Sequence, residues 1–273
     1  MTVESGWVPP EIDTTKANSA RVYDYWLGGD HNFQADRDAA RAAIAFDPGI
    51  RAAARANRAF LGRAVRFLAG QAGIRQFLDI GSGLPAENNV HQVARDTAPG
   101  SRVVYVDRDD VVVAHSRLML ADAPDAAVIQ ADLREPGRIL ADPETQLLLD
   151  FSHPVAVLLV GVLHFIPDDA VAAGIVATLR DALVPGSHLV IGHACGDGQP
   201  DLAPSFAAIY NSRVDTQTRF RTGDEITRLC EGFTFLDPGL VWIPQWRPDS
   251  PGDVPGEPEK YWVKVGVARY DGR

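Results

Sequence analysis

The segment Phe77-Leu78-Asp79-Ile80-Gly81-Ser82-Gly83-Leu84-Pro85-Ala86 runs an apolar stretch into two glycines and then a proline. That order reads as a strand, a glycine turn and the start of a helix. The glycines let the backbone turn tightly and approach a ligand, and a helix N-terminus behind them offers free N–H groups at the positive end of a dipole. Asp79 stands two residues before Gly81, where a carboxylate accepts a hydrogen bond from a cationic amino-acid group or from a water that holds one. A second apolar run, Val103–Val106, ends in Asp107-Arg108, and a carboxylate there accepts from both hydroxyls of a ribose. A third ends in Gln130-Ala131-Asp132-Leu133, where Asp132 can accept from an adenine amino group while Leu133 packs on the ring. The ligand so described is a nucleoside that carries a cationic amino-acid part. The glycine turn also fits G-x-G-x-x-A over Gly81–Ala86, so an NAD-dependent oxidoreductase is an alternative. Asp79 and the lack of a Tyr-x-x-x-Lys pair weigh against it.

These residues need a sheet to bring them together. Strands are expected at Gln76–Ile80, Arg102–Val106, Ala127–Gln130, Pro154–Val160 and Ser187–His193. Helices at 85–96, Val111–Ala121, Ile139–Leu149 and Asp168–Ala182 alternate with them. Strand–helix alternation gives an α/β fold with a parallel, doubly wound sheet, whose ligands bind at the carboxyl ends of the strands. Helical stretches near Pro204–Asn211 and Gly223–Cys230 follow, then strands at Phe233–Ile243 and Tyr261–Arg269. Five prolines between the last two strands leave no room for a crossover helix, so that pair is antiparallel and the Rossmann-like sheet has seven strands. Ahead of the sheet, residues 1–15 read as an extended arm. Helices at Ala20–Leu27, Asp36–Phe46 and Ile50–Ala69 then form a helical N-terminal extension through residue 70, before a cofactor-binding domain at 71–273.

Other residues add less. His164 follows the fourth strand in Gly161-Val162-Leu163-His164, and His193 ends the fifth. Either could take a proton from an acceptor, or serve as a hydrogen-bonded turn residue. His31, His91, His115, His153 and His188 have no metal-ligand spacing, and Asp109-Asp110 reads as a helix cap. Cys195 and Cys230 are far apart, outside any C-x-x-C pair, which suits a reducing compartment. The 273 residues carry a net charge of −10, unsuited to a phosphate backbone. An arginine series from Arg37 to Arg66 reads as solvated faces of alanine-rich helices. With no basic leader and no apolar run of membrane-spanning length, the expectation is a soluble, cytoplasmic protein.

The Asp79, Asp107 and Asp132 series, with the antiparallel C-terminal pair, resembles the class I S-adenosylmethionine-dependent methyltransferases over roughly Arg75–Arg269. The pattern departs at Leu84-Pro85, where that family's D-x-G-x-G-x-G motif has its last glycine. The resemblance implies that S-adenosyl-L-methionine is the cofactor, that Gly81, Ser82 and Gly83 pass under its methionyl part, and that Asp107 holds its ribose. It also implies that Asp132-Leu133 hold the adenine and that Gly161-Val162 face the sulfonium. The stretch Ile12–Phe33 resembles the N-terminal signature of the bacterial S-adenosyl methyltransferases once catalogued as a domain of unknown function, and that likeness covers nearly the whole chain. Its Tyr23, Tyr25, Trp26, His31 and Asn32 form either a lid over the cofactor or an amphipathic helix that plugs the sheet edge. Trp242, Trp246 and Trp262 line an acceptor pocket or anchor loops. The expected reaction is methyl transfer to a small-molecule acceptor, with a non-catalytic S-adenosylmethionine-binding protein as the other possibility.

Overall fold

A computed structural model describes residues 13–86 and 88–272, so the expected arm lies outside the described residues as far as position 12. Three helices come first: α1 (Ser19–Leu27), α2 (Gln34–Phe46) and α3 (Ile50–Gly70). The Asn18 side chain caps α1 by accepting from the Ala20 N–H at 2.7 Å, and Gly28 ends it at φ +90°. The sheet follows, with β1 (Gln76–Ile80), β2 (Arg102–Asp107), β3 (Ala126–Gln130), β4 (Ala156–Val160) and β5 (His188–Ala194) all parallel. Helices α4 (Val90–Thr97), α5 (Asp110–Met119), α6 (Pro136–Ala141), α7 (Pro143–Leu148) and α8 (Asp169–Asp181) connect these strands. After α9 (Ala203–Asn211) and α10 (Gly223–Leu229) come β6 (Phe233–Phe235), β7 (Val241–Trp242) and β8 (Val263–Tyr270).

The strand order is β3-β2-β1-β4-β5-β8-β6, with β7 also paired to β8, and β6, β7 and β5 all run antiparallel to β8. The order reverses direction between β1 and β4, and that switch point opens a crevice at the strands' carboxyl ends. Side chains alternate faces along β1. Phe77 joins one core with Phe60, Leu61, Ala64, Val65 and Leu68 of α3, while Leu78 and Ile80 join the other with Ile175, Val176 and Leu179 of α8. Asp79 therefore points to the face that α3 covers.

Three boundaries differ from the sequence expectation, each for a local reason. The strand expected over Phe233–Ile243 divides into β6 and β7, because Pro238 lacks an N–H for the ladder and Gly239 turns at φ +89°; the sheet has eight strands rather than seven. The helix expected over Ile139–Leu149 divides into α6 and α7 at Asp142-Pro143, where Asp142 caps the second helix. The helix expected at 85–96 starts only at Val90. Asn88 sits at φ +57° and Asn89 accepts from the Ala86 N–H at 3.1 Å, so the glycine turn continues to Asn89.

The N-terminal helices are tied to the sheet by charge as well as by apolar contact. Arg21 is buried and its Nε meets Asp36 Oδ2 at 3.0 Å, its Nη1 meets Asp109 Oδ2 at 3.4 Å, and its Nη2 donates to the Lys16 carbonyl at 2.8 Å. Asp109 also caps α5, as expected, by accepting from the Val111 and Val112 N–H groups. Trp26, Tyr210 and Phe206 join α1, α2 and α9 in a third core. Removing Arg21 leaves two buried carboxylates without their shared cation. Arg21→Ala should lower stability by roughly 3–5 kcal/mol in urea denaturation; a loss below about 1 kcal/mol would show that the triad does not anchor α1.

Candidate functional site

β1 delivers Asp79 and Ile80 to the crevice and then turns at Gly81, φ +72°, whose N–H donates to the Val106 carbonyl at 2.8 Å. A Cβ on Gly81 would fall 2.4 Å from Val162 Cγ2, so only glycine lets this turn pass beneath the residue that follows β4. Gly83, at φ +67°, donates its N–H to Asp107 Oδ2 at 2.9 Å, and the other Asp107 oxygen accepts from the Asp109 N–H at 3.0 Å. The turn is thereby fastened to the end of β2. Over it opens a cavity of about 460 Å³, well within the usual range for small-ligand sites. Asp79, Gly81, Ser82, Gly83, Asp107 and Arg108 line it, as do Asp132, Leu133, Gly161, Val162 and His164. Tyr23 and Trp26 of α1 close it from the other side.

Burial pushes Asp79 from the ordinary 3.8 up to about 7; the Asp107 charge adds to the rise and Arg58 opposes it. No side-chain hydrogen bond offsets that burial. Asp107 is also raised by burial, against the backbone N–H groups of Asp109 and Gly83 that favour its charged form. Asp132 is lowered, chiefly by the Arg134 guanidinium, whose Nε lies 2.9 Å from Oδ1. Arg108 reaches across to Thr216 Oγ1 at 2.6 Å and so links β2 to the segment after α9. Three further buried polar atoms without a partner belong to residues on this wall: Asn57 Oδ1, Ser82 Oγ and His164 Nδ1. A buried carboxylate that no hydrogen bond among the described residues offsets, and unpaired polar atoms around the same cavity, are marks of a binding site.

A family model described as S-adenosyl methyltransferase matches residues 5–271. The chain belongs to the S-adenosyl methyltransferase family. Two solved structures are similar over almost their full length. A candidate methyltransferase from Thermobifida fusca is 42% identical, with 97% of this chain and 99% of that chain covered and a TM-score of 0.92. A DUF574 family protein from Streptomyces avermitilis is 39% identical, covering 94% and 99%, with a TM-score of 0.90. Human N-acetylserotonin methyltransferase, solved in complex with S-adenosylmethionine, shares the fold at 15% identity, covering 86% of this chain and 57% of that one, with a TM-score of 0.51. No curated protein matches the chain. The protein is thus an S-adenosylmethionine-dependent methyltransferase, and the dinucleotide alternative for Gly81–Ala86 is set aside.

Several residues singled out in the sequence lie elsewhere. Tyr23 and Trp26 share one face of α1 and reach the cavity, whereas Tyr25 points away and lies between the Arg41 and Arg51 guanidiniums at 5.8 and 5.3 Å. His31 lies beyond the Gly28-Gly29 turn, 4.2 Å from the His115 ring, and Asn32 donates to Asp24 at 2.8 Å and to the Gly29 carbonyl at 2.9 Å. Tyr25, His31 and Asn32 do not line the cavity. His193 is also off the wall. Its Nδ1–H donates to the Ala194 carbonyl at 2.7 Å and its Nε2 accepts from Arg221 at 2.9 Å. Burial holds it well below its usual range, and with both nitrogens committed it is a structural residue. His164 does line the cavity, but burial, with help from Arg221, lowers it to about 3, so it is neutral and weakly basic near pH 7.

Trp262 borders the cavity and donates its Nε1–H to Asp47, while Trp246 is buried against Phe60, 5.3 Å between ring centroids, and Trp242 lies 5.0 Å below the Lys264 ammonium. Asn57 of α3 carried no sequence signal, and Arg58, read with its series as part of a solvated helix face, instead lines the cavity. They sit in an alanine-rich helix whose apolar stripe marks the side facing the core but not the residues at its rim. Among the described residues no group of His, Cys, Asp and Glu could hold a metal ion, and no helix is long and apolar enough to cross a membrane.

Asp79 makes a stability prediction with a definite sign. Its folded value of about 7 exceeds the ordinary 3.8, so between those limits the folded state holds a proton that the unfolded chain releases. Its contribution to stability therefore falls as pH rises from about 4 to 7. The neutral variant Asp79→Asn should melt higher than the parent at pH 8, by roughly 3–8 °C, with the difference closing toward pH 4. An unchanged or lower melting temperature at pH 8 would mean that Asp79 has a partner in solution.

Proposed function

We propose that the chain transfers the sulfonium methyl of S-adenosylmethionine to a small-molecule acceptor held in the same cavity. The observation that carries this reading is one cavity lined by two unlike sets of residues. Asp79, Asp107 and the glycine turn line it at the ends of β1 and β2, and Trp26, Phe206 and Trp262 of the third core line it too. The first suits a charged nucleoside cofactor and the second a compact acceptor.

In this reading Asp79 faces the cationic amino group of the methionyl part, and Gly81, Ser82 and Gly83 let the backbone pass beneath it. Asp107 accepts from the ribose hydroxyls, Leu133 packs on the adenine and Asp132 with Arg108 borders it. Gly161 and Val162 border the sulfonium. Bound there, the cofactor supplies an electrophilic methyl: an acceptor lone pair bonds the methyl carbon, the C–S pair goes to sulfur, and the acceptor proton leaves to solvent. His164 is too weak a base to draw that proton near neutrality, so it positions the acceptor through a hydrogen bond, and alignment supplies the acceleration. Tyr23 and Trp26, on the first helix of the N-terminal extension, act as the lid.

Calorimetric titration with S-adenosylhomocysteine, which keeps the amino-acid and nucleoside parts, tests the assignment. Binding should weaken at least about tenfold in Asp107→Ala, which loses a charged hydrogen-bond acceptor. Because Asp79 must be ionised to hold a cation, affinity should also fall as pH drops from 8 to 6, and that pH dependence should disappear in Asp79→Asn. Equal affinity at pH 8 and pH 6 in the parent would remove Asp79 from the role given to it.

A further inference from the structure

Several ionisable groups line the cavity. Asp79 and Asp107 stand at the ends of β1 and β2, and Arg58 acts on Asp79. Asp132 pairs with Arg134, and Arg108 lies 3.8 Å from Asp215. Rings of the third core line the cavity as well. Trp26 lies 6.2 Å from Tyr210, Phe165 6.3 Å from Tyr210, and Phe220 and Trp262 each lie 5.5–5.7 Å from Phe206 or from one another. The charges that reach these rings are carboxylates: Asp215 lines the cavity and acts on Tyr210, and Asp47 accepts from Trp262 Nε1. An anion moved into that region would lose its hydration and face those carboxylates, whereas a flat apolar body would meet ring faces and edges.

Two uncharged polar residues, Asn57 and His164, also line the cavity. Asn57 sits over the ends of β4 and β5: a Cβ on Gly161 or on Gly192 would lie 3.5 Å from its amide. Its Nδ2 donates to the Tyr23 hydroxyl at 3.1 Å, and that hydroxyl donates to the Ala54 carbonyl at 2.9 Å, which orients the amide and leaves Oδ1 unpaired. His164, immediately after β4, has its ring 4.2 Å from Phe165 and its Nδ1 unpaired. An amide oxygen only accepts, whereas a neutral imidazole nitrogen accepts or donates with its tautomer, so the group that satisfies Asn57 Oδ1 is a donor.

We propose that the methyl acceptor is a ring-bearing molecule without a negative charge, whose ring lies among Trp26, Phe206, Tyr210, Phe220 and Trp262 and whose O–H or N–H is directed to Asn57 Oδ1 beside His164. This rests on the methyl-transfer reading above and adds the substrate class to it. The donor atom held at Asn57 Oδ1 is also the nucleophile. Its lone pair forms the bond to the methyl carbon as the C–S bond breaks toward sulfur, and its proton leaves to solvent.

The test uses the full chain loaded with S-adenosylhomocysteine and three probes of one ring size: 1-naphthol, 1-methoxynaphthalene, which lacks the donor, and 1-naphthoate, which adds a charge. Binding is read by quenching of tryptophan fluorescence. 1-Naphthol should bind about tenfold more tightly than 1-methoxynaphthalene, the value of one hydrogen bond to an otherwise unpaired buried group, and 1-naphthoate more weakly than either. In Asn57→Ala the advantage of 1-naphthol over 1-methoxynaphthalene should disappear, while the affinity for S-adenosylhomocysteine stays within about threefold. The parent protein with the three probes already decides the matter if the variant does not fold. A preference for 1-naphthoate, equal affinity for the naphthol and its methyl ether, or no binding of any probe to the loaded protein overturns the proposal and leaves methyl transfer standing. Failure of S-adenosylhomocysteine itself to bind the parent overturns both.

Discussion

A carboxylate at the end of a strand covered on both sides must either keep its proton or face a cation. Asp79 is in that position: its neighbours in the sheet are Tyr105 of β2 and Leu158 of β4, and its side chain points under α3. Burial makes its charge costly, and the nearby Asp107 adds to that cost. The surrounding backbone is arranged around this point. Gly81 turns where a side chain would strike Val162, and Gly83 fastens the turn to Asp107. A fold that only needed stability would place an apolar residue at position 79; the cost of a buried charge is concentrated on the cavity wall.

The second constraint is the attachment of the N-terminal helices. Arg21 joins Asp36 of α2 to Asp109, which also caps α5 beside the strand that carries Asp107. Tyr23, two residues on, hydrogen-bonds to Ala54 and Asn57 of α3. One helix therefore registers its part of the cavity wall against both the strand ends and α3. The aromatic wall is assembled from three separate stretches, α1, α9 with Phe220, and Trp262 at the start of β8, none of which forms a pocket alone.

Much of the fold was legible because its signals are local. Continuous apolar runs such as Ala156–Val160 occur where both faces of a strand are covered, and the proline-rich connection before β8 admits only an antiparallel return. The boundaries that moved were set by single residues whose effect competes with periodicity: Pro238 within an apolar run, Pro143 within a helical one, and Asn88 in a left-handed conformation after the glycine turn.

The sequence by itself determined the alternation of strands and helices, the family, and the acidic residues that close β1, β2 and β3, since strand ends and glycine turns are readable from residue order. Only the tertiary structure decided which side chains share the cavity. Tyr23 and Tyr25 are two residues apart on one helix, and the docking of α1 on α3 and α9 turns the first inward and the second toward Arg41 and Arg51. His164 follows β4 and His193 lies at the end of β5, at the same edge of the sheet; the buried Arg221 hydrogen-bonds His193 and not His164, and burial removes the basicity of both. Which face of a helix is covered, and how far a histidine is removed from water, are properties of contacts between distant segments.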